Sequence, residues 1–424
     1  MIHASYDCII VGAGISGLYS ALQLQKKHPE WTIAIVEKYK GVGGRTYSYS
    51  PPEYPGVRWE MGAGRISRAH KLTLRLVEKY GLSVFPLGEF IGFKKNSRSE
   101  ILPNPFESSF ISMYIAPLGM LPENVLKTHT LYELMVDVYG QMRAEEILET
   151  FPYWSEVHVL RADLALKTFL DGEMSSHKGY FGVKEGFSEL ISRMLNAFLK
   201  AGGVLLNRQT VLGIRRSGET AYQTDLDIEF GRKKDKIHGR ITLRALQCCI
   251  FALHADALRG IKGFEKMEAL DHVKTEPLLR IYAVFKDAWF ADVGRIVTPG
   301  RIRYIIPINP SKGVVMISYT DGKDTEAYHM AEKKGILEKV VMKDIRALFP
   351  EKDISDPLLM KSHYWETGAT YWTKGEYDVE KMSLESCRPL KELKGVFVCG
   401  ESFSLKQAWI EGALEQTDAC LGHI

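Results

Sequence analysis

An α/β fold is what this sequence predicts, and three observations carry the prediction. Cys8-Ile9-Ile10-Val11 is a continuous apolar run that enters Gly12-Ala13-Gly14-Ile15-Ser16-Gly17 without a spacer. A second apolar run, Ile33-Ala34-Ile35-Val36, ends in the acid Glu37. Far downstream, Val396-Phe397-Val398-Cys399 opens into Gly400-Glu401, with an amphipathic segment from Trp409 behind it. Uninterrupted apolar runs read as strands buried on both faces, the pattern of a parallel sheet covered by helices.

Composition bounds the rest. The chain has 424 residues, 45% hydrophobic and 25% charged, enough for two or three packed lobes. Lys and Arg number 55 against 52 Asp and Glu, interspersed to a net charge of +3, which marks neither a nucleic-acid stripe nor an acidic tail. Six scattered cysteines without a CxxC pair read as buried thiols of a reducing compartment, not as a disulfide or metal frame. The start of the chain lacks the pattern of a signal peptide, and no stretch approaches the ~20 apolar residues of a bilayer span. A cytoplasmic protein without membrane or nucleic-acid partners is expected.

The first element is the strand at residues 8–11. A helix should begin inside the glycine loop and continue through Leu18, Ala21, Leu22 and Gln25 until His28-Pro29-Glu30 breaks it. The strand ending at Glu37 completes a βαβ unit. Gly12 permits the tight turn, Gly14 lets backbone N–H groups of Ile15 and Ser16 approach a pyrophosphate, and Gly17 lets helix and strand pack closely. The helix N-terminus adds partial positive charge. Glu37, twenty residues after Gly17, is placed to bind ribose hydroxyls. In this context the glycine pattern predicts a bound dinucleotide.

Gly41-Val42-Gly43-Gly44-Arg45-Thr46 follows as a second glycine loop. On its own it reads equally as a surface turn with a solvated arginine. Beside the first loop it suits a long, extended cofactor such as FAD. The pair of loops resembles the flavin-dependent amine oxidase superfamily, whose second loop reads Arg-x-Gly-Gly-Arg. Arg45 matches the second arginine; Gly41 stands at the first, and Lys38 or Lys40 is the candidate replacement. The resemblance implies a Rossmann-like FAD-binding domain interleaved with a substrate domain of mixed sheet plus helices.

Later segments extend the resemblance. Gly186-Phe187-Ser188-Glu189-Leu190 opens a helix with Leu190, Met194, Leu195 and Leu199 as its apolar stripe, closed by Gly202-Gly203 and followed by a strand at Val204-Leu205-Leu206. In the family a valine after that strand meets the adenine, which implies Val211. Leu226, Ile228 and Phe230 alternate with Asp225, Asp227 and Glu229, and a turn at residues 231–235 leads to a second run through Ile241 and Leu243, an antiparallel hairpin. Trp409-Ile410-Glu411-Gly412-Ala413 is similar to the family's last helix start, where backbone N–H groups stabilise negative charge on reduced flavin. The resemblance implies non-covalent FAD, because residues 371–374, the region where monoamine oxidases attach their flavin, contain no cysteine.

The substrate side falls in a mostly helical stretch (66–182) and a stretch with strands expected near residues 278–285, 301–308 and 313–320. Glu60-Met61-Gly62-Ala63-Gly64-Arg65 matches the family loop through Gly-Ala, placing Gly62, Ala63 and Gly64 at the cofactor. Arg65 then stands where the amino-acid oxidase branch carries an arginine for a substrate carboxylate, which it can grip with two parallel hydrogen bonds. Contact with the cofactor or with a protein carboxylate is the alternative reading. Arg280 occupies the position of the family's flavin-facing lysine. It serves either as a second carboxylate contact or as the sign of an altered oxidase half-reaction, unless it is a surface residue one register away. Tyr304 and Tyr319 are candidates for the pocket wall, Tyr304 with its hydroxyl toward a carboxylate. Trp365, Tyr371, Trp372 and Trp409 are candidates for an aromatic wall, with core packing the alternative for each.

The resemblance implies an oxidase that passes hydride from an amine-bearing carbon to flavin N5. The imine product hydrolyses to a keto acid and ammonia, and O2 is reduced to hydrogen peroxide. An L-α-amino acid is the preferred substrate class, with a simple amine or polyamine oxidase as one alternative. A flavin-holding protein without amine turnover is another. Partners are then a small-molecule amine or amino acid and O2, with a homodimer allowed. The expected FAD domain is discontinuous (1–65, 183–270 and 385–424), with 66–182 and 271–384 forming the substrate domain.

Overall fold

A computed structural model describes residues 2–87, 91–96, 99–170, 179–218, 220–231 and 238–424. Residues 232–235 of the expected hairpin turn and 171–178 of the expected helical stretch lie outside the described residues. The strand Ile2–Val11 pairs in parallel with Ile33–Glu37 on one side and with Gly239–Phe251 on the other. Helix Ile15–Lys27 crosses between the first two, and Val204–Asn207 extends the sheet beyond Ile33–Glu37. Ile9, Ile10, Ala34 and Ile35 have no solvent exposure, because helices cover both faces of these short strands.

The long strand Gly239–Phe251 joins two kinds of pairing. Its first half is antiparallel to Thr224–Phe230, as the alternation predicts, with Leu226 and Ile228 turned into the core. Its last residues pair in parallel with Val396–Val398, which delivers the C-terminal segment to the same sheet edge as the first glycine loop. Gln209–Arg216 forms the outer strand beside Thr224–Phe230.

A second, largely antiparallel sheet runs in the order Leu359–Trp372, Val273–Val284, Val314–Asp321, Tyr304–Asn309, Ile296–Val297, Gly92–Phe93. The strand expected at 301–308 begins only at Tyr304, since Arg303 takes a positive φ of 61° and turns the chain. The stretch 66–182 is helical from Lys71 onward but also contributes a small sheet of Ile66–Ser67, Tyr180–Val183 and Val84–Pro86. In helix Phe187–Lys200 the inward stripe is Phe187, Leu190, Ile191, Met194 and Phe198; Leu199, expected inside, is exposed. The 3.6-residue period puts Phe198 on the buried face in its place. All six cysteines are buried free thiols. Among the described residues no helix is long and apolar enough to cross a membrane.

Candidate active site

The two glycine loops lie against each other. Gly43 N–H donates to the Ala13 carbonyl at 2.9 Å, and Gly43 and Gly14 form an isolated parallel bridge. A Cβ on Gly17 would stand 1.9 Å from the Gly12 carbonyl, and one on Gly12 would meet the Ala252 carbonyl at 2.6 Å, so neither position admits another residue. Above Gly14 there is open space, with nothing within 4 Å of where a Cβ would point. Gly14 is also the N-cap of helix Ile15–Lys27, whose first N–H groups have no side-chain cap. A loop closed on its packing side and open over an uncapped helix N-terminus fits a pyrophosphate.

Glu37 is buried, and its carboxylate accepts from Ala13 N–H at 2.8 Å and Tyr39 N–H at 2.9 Å. These bonds tie the acid to the loop and leave lone pairs for ribose hydroxyls. Lys38 is exposed, its ammonium over the Tyr39 ring. Arg45 points inward, donating to the Gly368 carbonyl and forming an ion pair with the buried Glu401. Gly62 packs against Arg45, where a Cβ would stand 2.0 Å from the Arg45 carbonyl, and Ala63 N–H donates to that same carbonyl at 3.0 Å.

The C-terminal motif closes the cradle. Gly400 takes a positive φ of 123° to turn the chain after Val396–Val398. Ser16 Oγ donates to the Ala413 carbonyl at 3.3 Å, joining the first helix to the last, Ile410–Leu421. The carboxylate of Glu411 accepts from Leu72 N–H, Thr73 N–H and Thr73 Oγ1 within 2.9 Å. That side chain caps helix Lys71–Lys79, a role its motif position did not foretell. Gly412 has the Lys406 carbonyl 1.9 Å from its would-be Cβ. Trp409 is the N-cap of the last helix, which carries no side-chain cap and keeps its first N–H groups open. Val211 is buried on the outer strand Gln209–Arg216.

A cluster of aromatic side chains surrounds Arg65. Its guanidinium carbon stands 4.9 Å from the Tyr180 ring centroid and 5.2 Å from that of Trp409. Tyr180 and Trp409 are parallel to within 2°, at 6.1 Å. Arg65 Nη2 donates to Tyr153 OH at 3.3 Å, and Tyr153 OH meets Tyr304 OH at 3.2 Å. Burial disfavours the Arg65 charge, but the oxygens of Tyr153, Tyr180, Tyr319 and Tyr304 outweigh it and push its pKa up. Tyr304 itself is driven well above the ordinary tyrosine range by burial, so it remains a neutral hydroxyl.

Arg280 donates from Nη1 to the Glu60 carbonyl at 3.1 Å and lies 5.2 Å from the Tyr319 ring centroid. It is a partly buried residue on a central strand, its Nη1 2.9 Å from where a Cβ of Gly64 would be. Glu60 is structural, held by Ser48 Oγ and Phe187 N–H; Arg68 is exposed. Trp365 donates to the Met61 carbonyl at 2.8 Å. Trp372 is not part of the cluster around Arg65: it is almost fully buried, donates to the Ser404 carbonyl and packs near Tyr377 and Phe403.

Tyr371 reaches Glu156 Oε1 at 3.3 Å. Glu156 is buried beside Asp321, and desolvation followed by the Asp321 charge lifts its pKa to about 8. Asp321 accepts the Trp154 and Ser155 N–H groups, and burial raises it to about 6. Tyr153, Tyr180, Glu156, Asp321 and Arg295 were not singled out from the sequence. A tyrosine packed in the core and one facing Arg65 read alike there, and Arg295 sits alone in a loop without a motif.

Comparison with known proteins agrees with this architecture. A model of the flavin containing amine oxidoreductases matches residues 15–418. Aplysianin-A of Aplysia kurodai is 23% identical over 97% of this chain and 89% of its own. Flavin-dependent L-tryptophan oxidase RebO of Lentzea aerocolonigenes is 24% identical over 97% and 96%. A solved putrescine oxidase, redesigned in its cofactor binding, superposes with a TM-score of 0.72 at 14% identity, covering 99% of both chains. The chain belongs to the flavin-containing amine oxidoreductase family. It is a flavin-dependent amine oxidase, and FAD is its cofactor.

Proposed function

We propose that the amine this enzyme oxidises is an L-α-amino acid. The observation that carries the reading is Arg65: a guanidinium walled by Tyr180, Trp409 and Tyr153, with no carboxylate in ion-pair contact among the described residues. A partly buried guanidinium without an ion-pair partner keeps donors for a substrate carboxylate, which it can grip with two parallel hydrogen bonds. Bound FAD supplies a two-electron acceptor for the Cα hydride. The protein's part is to bind and orient. Arg65 grips the carboxylate, Tyr153 and Tyr304 offer neutral hydroxyls beside it, and Trp409 walls the side toward the last helix. The N-terminus of Ile410–Leu421 supplies fixed positive potential for charge developing on the cofactor. Arg280 keeps a cation at the lysine position but cannot give up its proton, so it serves by charge alone. Lys38 and Arg45 with Glu37, and Val211 on the adenine side, complete the cofactor contacts, and the partition of 1–65, 183–270 and 385–424 against the remainder belongs to the same reading.

The test is a peroxide-release screen of the purified yellow protein over amino acids and simple amines, with anaerobic bleaching of the flavin as a second readout. Bleaching and peroxide with amino acids support the proposal. Peroxide with amines alone would move Arg65 out of the substrate site.

A further inference from the structure

Most buried or half-buried arginines among the described residues hold a carboxylate. Arg161 reaches Asp163, Arg303 reaches Asp324 and Arg244 reaches Asp225, each at 2.7 Å. Arg295 departs from this. It precedes the short strand Ile296–Val297 and lays its guanidinium carbon 5.6 Å from the Tyr304 ring centroid and 5.8 Å from that of Tyr180. Its Nε is buried without a hydrogen-bond partner, and no carboxylate lies in ion-pair contact with it among the described residues. Tyr180 is the ring that Arg65 also faces, and Tyr304 is bonded through Tyr153 to Arg65. Two partly buried guanidinium groups, neither with an ion-pair partner among the described residues, therefore share one aromatic wall.

The acids of this region form no ion pair with either guanidinium, although Glu156 feels the Arg65 charge. Asp321 is committed to two backbone N–H groups, Glu156 to Tyr371, and Glu60 to Ser48 and Phe187. Ring faces soften a cation's burial but leave its charge in place. One substrate carboxylate answers one guanidinium; the second calls for a second anion on the same small molecule.

We infer that Arg295 is a specificity-determining residue for a second carboxylate, so that the favoured substrate is a short dicarboxylic amino acid held between Arg65 and Arg295. This rests on the reading of the enzyme as an amino-acid oxidase. Arg280, whose Nε is likewise buried without a partner, is less suited to the second contact because its Nη1 is already anchored on the Glu60 carbonyl. A neutral isostere would leave the Arg295 donors unpaired, the condition under which a buried polar site discriminates strongly.

The experiment compares kcat/KM for L-glutamate, L-aspartate, L-glutamine and L-leucine in the FAD-loaded wild type, Arg295→Leu and Arg295→Lys. The expected wild-type preference for a dicarboxylic acid over glutamine is at least about tenfold. In Arg295→Leu the ratio should fall to near one, chiefly through KM, and Arg295→Lys should restore part of it. Titration of the flavin spectrum with glutarate, bound by the wild type and not by Arg295→Leu, gives a readout independent of turnover. Efficient oxidation of neutral amino acids with no dicarboxylic preference overturns this inference alone. So does an equal loss for all substrates in Arg295→Leu, which would make the residue a spacer between Tyr180 and Tyr304. Turnover of amines and of no amino acid overturns both this inference and the reading on which it rests.

Discussion

Arg45 and Glu401 form an ion pair across 356 positions of chain, with the Glu401 side chain only 8% exposed. The pair ties the second glycine loop to the turn after the last strand of the parallel sheet. Glu401 also accepts from Thr370 Oγ1, so a residue of the second sheet joins the same knot. Glu401→Ala strands Arg45 and opens the cradle. Loss of a charged, mostly buried contact of about 1.5 to 3 kcal/mol should weaken FAD retention by roughly ten- to a hundredfold. Flavin absorbance per protein after dialysis measures this, and unchanged retention would show the pair to be incidental to the cofactor.

Gly14 and Gly17 should respond differently to alanine. At Gly17 the new methyl meets the Gly12 carbonyl, so the protein should lose stability whether or not flavin is present. At Gly14 the methyl enters free space, in an extended backbone any residue accepts (φ −74°, ψ −177°). Gly14→Ala should melt close to the wild type as apoprotein yet bind FAD poorly, because the methyl occupies the phosphate's approach. Thermal melts with and without added FAD separate the two; equal destabilisation of both apoproteins would contradict the cradle.

Removing the Arg65 guanidinium should act on binding. In Arg65→Ala a carboxylate substrate loses a charged hydrogen-bonded contact of about 2 to 3 kcal/mol, or roughly thirty- to a hundredfold in KM. Steady-state kinetics on the best amino acid are the measurement. A KM within threefold of the wild type, on the order of 0.6 kcal/mol, would exclude the contact.

Glu156 predicts a pH effect. Burial and then the Asp321 charge raise it from 4.5 to about 8. Between those values the folded protein keeps a proton that the unfolded chain has released, so this group's contribution to stability falls as pH rises through the window. Below it both states are protonated, and glutamine mimics the acid. Glu156→Gln should therefore leave Tm nearly unchanged at pH 4.5 and raise it relative to wild type at pH 8. A Tm difference that does not vary with pH would show that Glu156 does not titrate as described.

The cofactor half was legible in the chain because its requirements are local. Gly17 and Gly412 each sit where the carbonyl of a residue five or six positions earlier leaves no room for a Cβ, and Gly400 turns through positive φ, so those positions call for glycine on local grounds. The strand runs into Gly12 and Gly400 were equally local, set by burial on both faces. The aromatic residues were not legible in this way. Trp372 and Trp409 look alike in the sequence, yet one is packed beneath Ser404 and the other stands beside Arg65. Leu199 and Phe198 exchanged roles because a stripe one residue off is nearly as periodic.

Backbone demands thus settled the fold class, the family and the cofactor from residues that are neighbours in sequence. The aromatic cluster around Arg65 is different in kind. Arg65, Tyr153, Tyr180, Arg295, Tyr304 and Trp409 come from separate segments and meet only when the second sheet and the helices after Lys71 close over the first. Whether an arginine is paired or unpaired depends on which carboxylates the packing brings within reach. That is a property of distances between remote segments, and no local pattern encodes it.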